Sequence, residues 1–168
     1  MTDIAETMSP QSAEALRGAF GATLDRNQRT IHRMIDGIGH EQSLLTLVEG
    51  GGHLNWVIGH LGLSRDQLAQ RLGGDRQIGA DAEKRYDFGS QPSSAEAAEP
   101  LGELVKRLDE SYAFLKGKLA ELTAERLSAA ENARTTAQRV DFTLWHEAYH
   151  VGQLVLYRRA AGLTSRIG

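Results

Sequence analysis

The sequence contains no cysteine. Disulfides, thiolate metal ligands and cysteine nucleophiles are therefore excluded, and any thiol chemistry needs an external thiol. It has only three prolines, and no stretch approaches the roughly 20 apolar residues of a membrane-spanning helix. Basic residues are not in excess: 19 Lys and Arg stand against 22 Asp and Glu. The resulting net charge of −3 gives no general electrostatic footprint for nucleic acid. Met1 to Pro10 has neither a basic start nor an apolar run, so no secretory signal is expected. No segment alternates apolar and polar residues as a half-buried strand does. These absences point to a cytoplasmic, all-α protein with no nucleic-acid or membrane partner. What is present suffices for a core, with 40% hydrophobic and 24% charged residues. The 168 residues are read as one domain, 1–168.

Four segments carry helical periodicity. Ser9-Pro10 opens the first, with Ser as N-cap and Pro at the first helical position. Leu16, Phe20, Leu24, Ile31, Met34 and Ile35 follow at helical spacing, and the pattern fades at Gly37 and Gly39. Gly50-Gly51-Gly52 is a break. The second helix spans about His53 to Leu72, and Gly73-Gly74 closes it. Residues 75–98 read as a long surface connection. Pro100 starts the third helix, with Leu101, Leu104, Leu108, Tyr112, Leu115 and Leu119 on one face. Residues 123–140 are irregular apart from a helical turn at Ala124–Leu127. Asp141 is expected to cap the fourth helix, which runs to Ala161 and stops at Gly162. Four amphipathic helices of about 20 residues suggest a four-helix bundle, with long connections between helices two and three and between three and four.

The fourth helix contains His146-Glu147-Ala148-Tyr149-His150, the H-E-x-x-H spelling of zinc metalloproteases. Histidines at i and i+4 share one helix face and can hold one metal ion. Gln153, Tyr157, Phe142 and Tyr149 extend that stripe, while Leu144, Val151 and Val155 cover the opposite side. The helix thus reads as apolar or aromatic nearly all round, which implies burial. The protease reading is disfavoured. The 18 residues after His150 contain no His, Asp or Glu to complete a zincin site. Glu147 lies about 100° around the helix from His146 and need not enter the site. It reads as a bystander. Glu147-Ala148-Tyr149-His150 also spells E-x-x-H, but a di-iron site needs two such motifs.

A third ligand must come from upstream, where His32, His40, His53 and His60 are available. His32 is read as a solvated or core-edge residue of the first helix, His40 as a loop residue, and His53 as a helix-end or rim residue. His60 lies mid-helix beside Val57 and is the best candidate. Gln153 is positioned to orient a histidine or meet a ligand. Trp56, Tyr149 and Tyr157 can line a pocket mouth. Gly152 reads as permitting close helix packing, and Arg158 and Arg159 as surface residues suited to the helix dipole, either of which an anionic cosubstrate could use.

Asn55-Trp56-Val57-Ile58-Gly59-His60-Leu61 resembles the second helix of the DinB-like (YfiT-like) superfamily. Trp145 to Leu154, with H-x-x-x-H-x-G-Q inside it, resembles that family's fourth helix, and Leu156 to Gly162 its ending. The resemblance implies a four-helix bundle, a homodimer, and one divalent metal ion (nickel, zinc or iron) on His60, His146 and His150. It further implies a metal-dependent thiol S-transferase, or a related hydrolase or isomerase, that uses a low-molecular-weight thiol and an electrophilic substrate. The alternative is a non-catalytic metal-binding stress protein.

Overall fold

The computed structural model describes residues 8–49 and 51–165. The N-terminal stretch read for a signal lies mostly outside them, as does Gly50 of the glycine break. The described residues form α1 (Pro10–Ile35), α2 (His40–Ser43), α3 (Leu54–Arg71), α4 (Ala80–Tyr86), α5 (Leu101–Glu121), α6 (Ala124–Ser128), a short hairpin of β1 (Ala130–Glu131) and β2 (Arg134–Thr135), and α7 (Thr136–Ala160). The protein is all-α, and its four long helices are those the periodicity marks.

Local chemistry sets the helix ends. Ser9 Oγ accepts from the Ser12 amide at 3.1 Å, and Pro10 takes the first helical position. The fourth long helix starts earlier than Asp141, which lies exposed along it. Its cap is Thr135, whose Oγ1 accepts from Gln138 N while Gln138 Oε1 accepts from Thr135 N. This reciprocal T-x-x-Q pair satisfies two amides that the helix cannot. The hairpin before it turns on Asn132 (φ 49°) and Ala133 (φ 63°), both left-handed as a two-residue type I′ connection requires. His40, read as a loop residue, begins α2, and its Nδ1 accepts from Leu101 N at 3.3 Å. The 75–98 segment is more than a surface connection. It contains α4, and Tyr86 at its end is buried in the core.

α3 packs against α5 and α7, and α1 against the same two helices from the opposite corner. Two apolar clusters fill the bundle. One holds Ile31, Met34, Ile58, Leu61, Leu108 and Leu154 among others. The other holds Phe20, Leu24, Leu68, Leu115, Leu119 and Leu144. A polar layer separates them. Arg65 of α3 donates from Nε to Glu147 Oε2 of α7 at 3.1 Å and from Nη2 to Glu147 Oε1. Its Nη1 donates to Gln28 Oε1 of α1 at 2.7 Å and to the Leu108 carbonyl of α5 at 3.0 Å. One guanidinium therefore joins all four long helices. Both partners of the ion pair are only 1% exposed. Burying them is tolerable because nearly every donor and acceptor is matched. Asn27 adds a bond from Nδ2 to the Leu144 carbonyl at 3.1 Å.

Three expectations are corrected here. Glu147 is not a bystander: it is the buried counter-ion of Arg65. Arg158 is not at the surface. It is 2% exposed, with its guanidinium donating to the Met34, Asp36 and Thr164 carbonyls, whereas Arg159 is exposed. Met34 and Asp36 lie at the end of α1, where carbonyls have no helical partner, so a cation is favoured there. Finally, α7 is not enclosed on all sides. Phe142, Trp145 and Tyr149 are 46%, 61% and 56% exposed, and α3 is the helix buried nearly all round.

Removing one partner of a buried pair strands the other charge. Glu147→Ala is expected to lower unfolding stability by about 3–5 kcal/mol, measured by urea denaturation. A loss under about 1 kcal/mol would mean that the polar layer does not tie the bundle.

Candidate metal centre

Three histidines from two helices meet beside this polar layer. His60 projects from α3, and His146 and His150 from successive turns of α7. His60 Nε2 lies 3.2 Å from His146 Nε2, which lies 3.1 Å from His150 Nε2. The potential ligand atoms of the three all fall within 4.8 Å of one another, so they could hold a metal ion.

The other ring nitrogens fix the tautomers. His60 Nδ1–H donates to the Tyr86 carbonyl at 2.7 Å. His150 Nδ1–H donates to Gln153 Oε1 at 2.8 Å. Each neutral ring then carries a lone pair, not a proton, on Nε2. His146 could offer at most one proton to the two lone pairs facing it. At least one close nitrogen–nitrogen contact is therefore repulsive unless a cation lies between them. Metal–nitrogen bonds of about 2.0–2.1 Å at angles from octahedral to tetrahedral place nitrogens about 2.9–3.4 Å apart. The two separations from His146 fall in that range, and the donor set fits a divalent ion.

Electrostatics agree with this. Burial, reinforced by His150 and His60, pushes the His146 pKa down to about 4. Burial also lowers His150, with an opposing contribution from the Gln153 bond and a reinforcing one from His60. Both rings are thus neutral near pH 7, and no proton need be displaced before a cation binds.

Aromatic rings hold the imidazoles in place. Trp56 stacks on His60 at 4.8 Å between ring centroids and 8° between planes. Its indole N–H donates to Ser90 Oγ at 2.9 Å and to the Arg85 carbonyl at 3.2 Å. Phe142 lies parallel to His146 at 6.0 Å, and Tyr149 meets His150 edge-on at 5.1 Å. Tyr157 O–H donates to the Gly52 carbonyl at 3.1 Å, anchoring the glycine break against α7. Gln153 makes the contact to His150 that the orienting role requires. His53 lies away from the cluster. It caps α3, with Nδ1 accepting from Trp56 N at 3.0 Å and Nε2–H donating to the Ser93 carbonyl at 3.1 Å. His32 instead meets Asp109 at 2.7 Å on the surface.

Two cavities meet at the histidines. One, of about 430 Å³, is lined by all three together with Trp56, Tyr149 and Tyr157. The other, of about 370 Å³, touches His60 and His146 and is lined also by Phe142, Arg71, Arg134 and Arg139. Glu147 enters neither cavity and contacts none of the histidine nitrogens, consistent with its place in the bundle centre. The base of the protease spelling is therefore occupied elsewhere.

A family model described as the DinB superfamily matches residues 23–154. The chain belongs to the DinB superfamily. A crystal structure titled as a conserved protein from Enterococcus faecalis is similar to it, with a TM-score of 0.70 and 18% identity. The alignment covers 86% of this chain and 95% of that one. At that identity the likeness concerns the fold. Among curated proteins, none matches. Membership and the histidine cluster are together compatible with metal binding in this DinB-superfamily chain.

Two features of the site escape the sequence. The Tyr86 contribution is a backbone carbonyl, which no residue type signals. Gly59 rather than Gly152 is the position of close approach. A Cβ on Gly59 would overlap the Tyr86 ring, whereas one on Gly152 would meet nothing within 4 Å. Gly59→Ala should therefore displace Tyr86 and its carbonyl from His60. Loss of such an outer partner costs on the order of 10–100-fold in metal affinity. Competition with a chromogenic chelator measures it, and unchanged affinity would refute the role given to Tyr86.

Proposed function

We propose that His60, His146 and His150 bind one divalent ion and that the protein is a metal-dependent enzyme of the thiol S-transferase type. The observation that carries the reading is the convergence of three Nε2 lone pairs, two of them fixed by Nδ1–H bonds to Tyr86 and Gln153. Three neutral imidazoles leave coordination positions open, which is the composition of a catalytic rather than a structural site. The chemistry such an ion supplies is acidification of a bound thiol or water near neutral pH.

The residues around it do the remaining work. Trp56, Tyr149 and Tyr157 wall a cavity that reaches the three histidines and suits a small organic ligand. The chain has no thiol of its own, which fits a low-molecular-weight thiol as the source of the sulfur. In the transfer, its sulfur forms a bond to an electrophilic carbon. The leaving group departs with the bonding pair, and the thiol proton passes to water. Nickel, zinc and iron all accept imidazole nitrogen, and the ligand set does not choose among them. The exposed Trp145 and Tyr149 on α7 are apolar surface available to a second copy, in keeping with a homodimer.

Metal analysis by mass spectrometry should give about one ion per wild-type chain and near zero for His150→Ala. Near-zero metal in the wild type after loading with Ni²⁺ or Zn²⁺ would overturn the site. The loaded protein should then conjugate a model electrophile in a thiol-dependent way. Stoichiometric metal without turnover, over a panel of thiols and electrophiles, would instead favour a non-catalytic metal-binding protein.

A further inference from the structure

We infer that the second cavity is an anion subsite: Arg134, Arg139 and Arg71 bind the carboxylate of a small-molecule ligand whose other end reaches the three histidines. This inference rests on the functional reading above and names the chemical class of what the site accepts.

The argument begins with charge. Three guanidinium groups line this cavity against one carboxylate, Asp87, whose Oδ1 already accepts from Phe88 N at 2.8 Å. Arg71 is partly neutralised by Glu131 at 3.3 Å. Arg134 has no ion pair among the described residues. Its guanidinium lies over the Phe142 ring, 5.2 Å from the centroid, and Phe142 in turn lies parallel to His146. An arginine held over an aromatic face keeps its in-plane N–H groups free to donate. Arg139 donates from Nη2 to the Glu131 carbonyl, and its buried Nε finds no acceptor among the described residues. A buried cationic donor without an acceptor is unfavourable, and a small local shift toward an anion would relieve it.

Backbone design supports the same conclusion. Arg134 stands where it does because the hairpin turns through Asn132 and Ala133. An alanine rarely adopts the left-handed region, where its Cβ crowds the following carbonyl oxygen. The strained turn places the arginine against Phe142 and the cavity. The cavity shares His60, His146 and Phe88 with the aromatic one, so a single ligand can span from guanidinium to metal site. Its volume of about 370 Å³ admits a short carboxylic acid. Planar guanidinium groups match a carboxylate better than a spherical anion, because two parallel N–H bonds can form.

The test is calorimetric titration of the metal-loaded protein with 3-mercaptopropionate, with its neutral amide, and with succinate, which has no sulfur. The wild type should bind the acid on the order of tenfold more tightly than the amide. In Arg134→Gln and in Arg134→Gln/Arg139→Gln the acid should fall to within about twofold of the amide, with the amide affinity unchanged. Succinate should bind the wild type and fail to bind the double variant. The unchanged amide affinity shows that the variants are folded. Equal affinity for acid and amide in the wild type would overturn the inference, and so would a preference that survives in the double variant. The succinate arm separates the two readings. Succinate bound through the arginines, with no thiol binding the metal, would keep the subsite and defeat the thiol reading. Amide bound in a metal-dependent way, with no succinate binding, would do the reverse.

Discussion

The buried Arg65–Glu147 pair is the constraint on which the bundle depends. Arg65 reaches α7 through Glu147, α1 through Gln28 and α5 through the Leu108 carbonyl. The two apolar clusters on either side supply burial energy, but leucines and isoleucines can pack in several registers. A charge whose hydrogen bonds need three particular partners cannot. Such a layer therefore serves specificity of arrangement more than net stability, as a buried polar residue does in a coiled coil. Its consequence reaches the surface. Glu147 lies directly after His146, so fixing Glu147 inward fixes the rotation of α7 and turns His146 and His150 toward α3.

The three-histidine cluster is then an outcome of helix rotation plus outer support. α3 delivers His60 at the right height, the stack with Trp56 sets its plane, and the Tyr86 carbonyl sets its tautomer. On α7, Gln153 does the same for His150 from one turn away. From the segment between α3 and α5 the site needs the Tyr86 carbonyl at the end of α4, with the Tyr86 ring seated over Gly59. The fold thereby puts rigid helices under the three histidines and under much of both cavity walls.

Much of this is legible in the sequence, for identifiable reasons. Ser9-Pro10, His53 at the start of α3 and Gly162 after α7 act over a few residues, so the helix ends they mark can be read locally. The i, i+4 histidine pair is likewise a property of one helix. What escapes is long-range. Glu147 finds its partner 82 residues away, and Arg158 caps α1 more than 120 residues away. Helical position alone assigns both to the surface or to no role. Thr135-Thr136-Ala137-Gln138 is a readable capping box, yet the acidic Asp141 a few residues on is a competing signal. The aromatic stripe of α7 reads as buried because periodicity reports hydrophobicity, whereas the exposure of Trp145 and Tyr149 depends on what packs there. The Tyr86 carbonyl has no side-chain signature at all.

The spelling H-E-x-x-H thus divides in two directions, histidines toward the candidate metal centre and glutamate inward to an arginine. The most direct test of that division is a crystal structure of the metal-loaded protein with anomalous data at the metal edge. The account predicts one anomalous peak bonded to Nε2 of His60, His146 and His150, with Glu147 still paired to Arg65. A peak bonded to Glu147, or to fewer than three of these histidines, would contradict it.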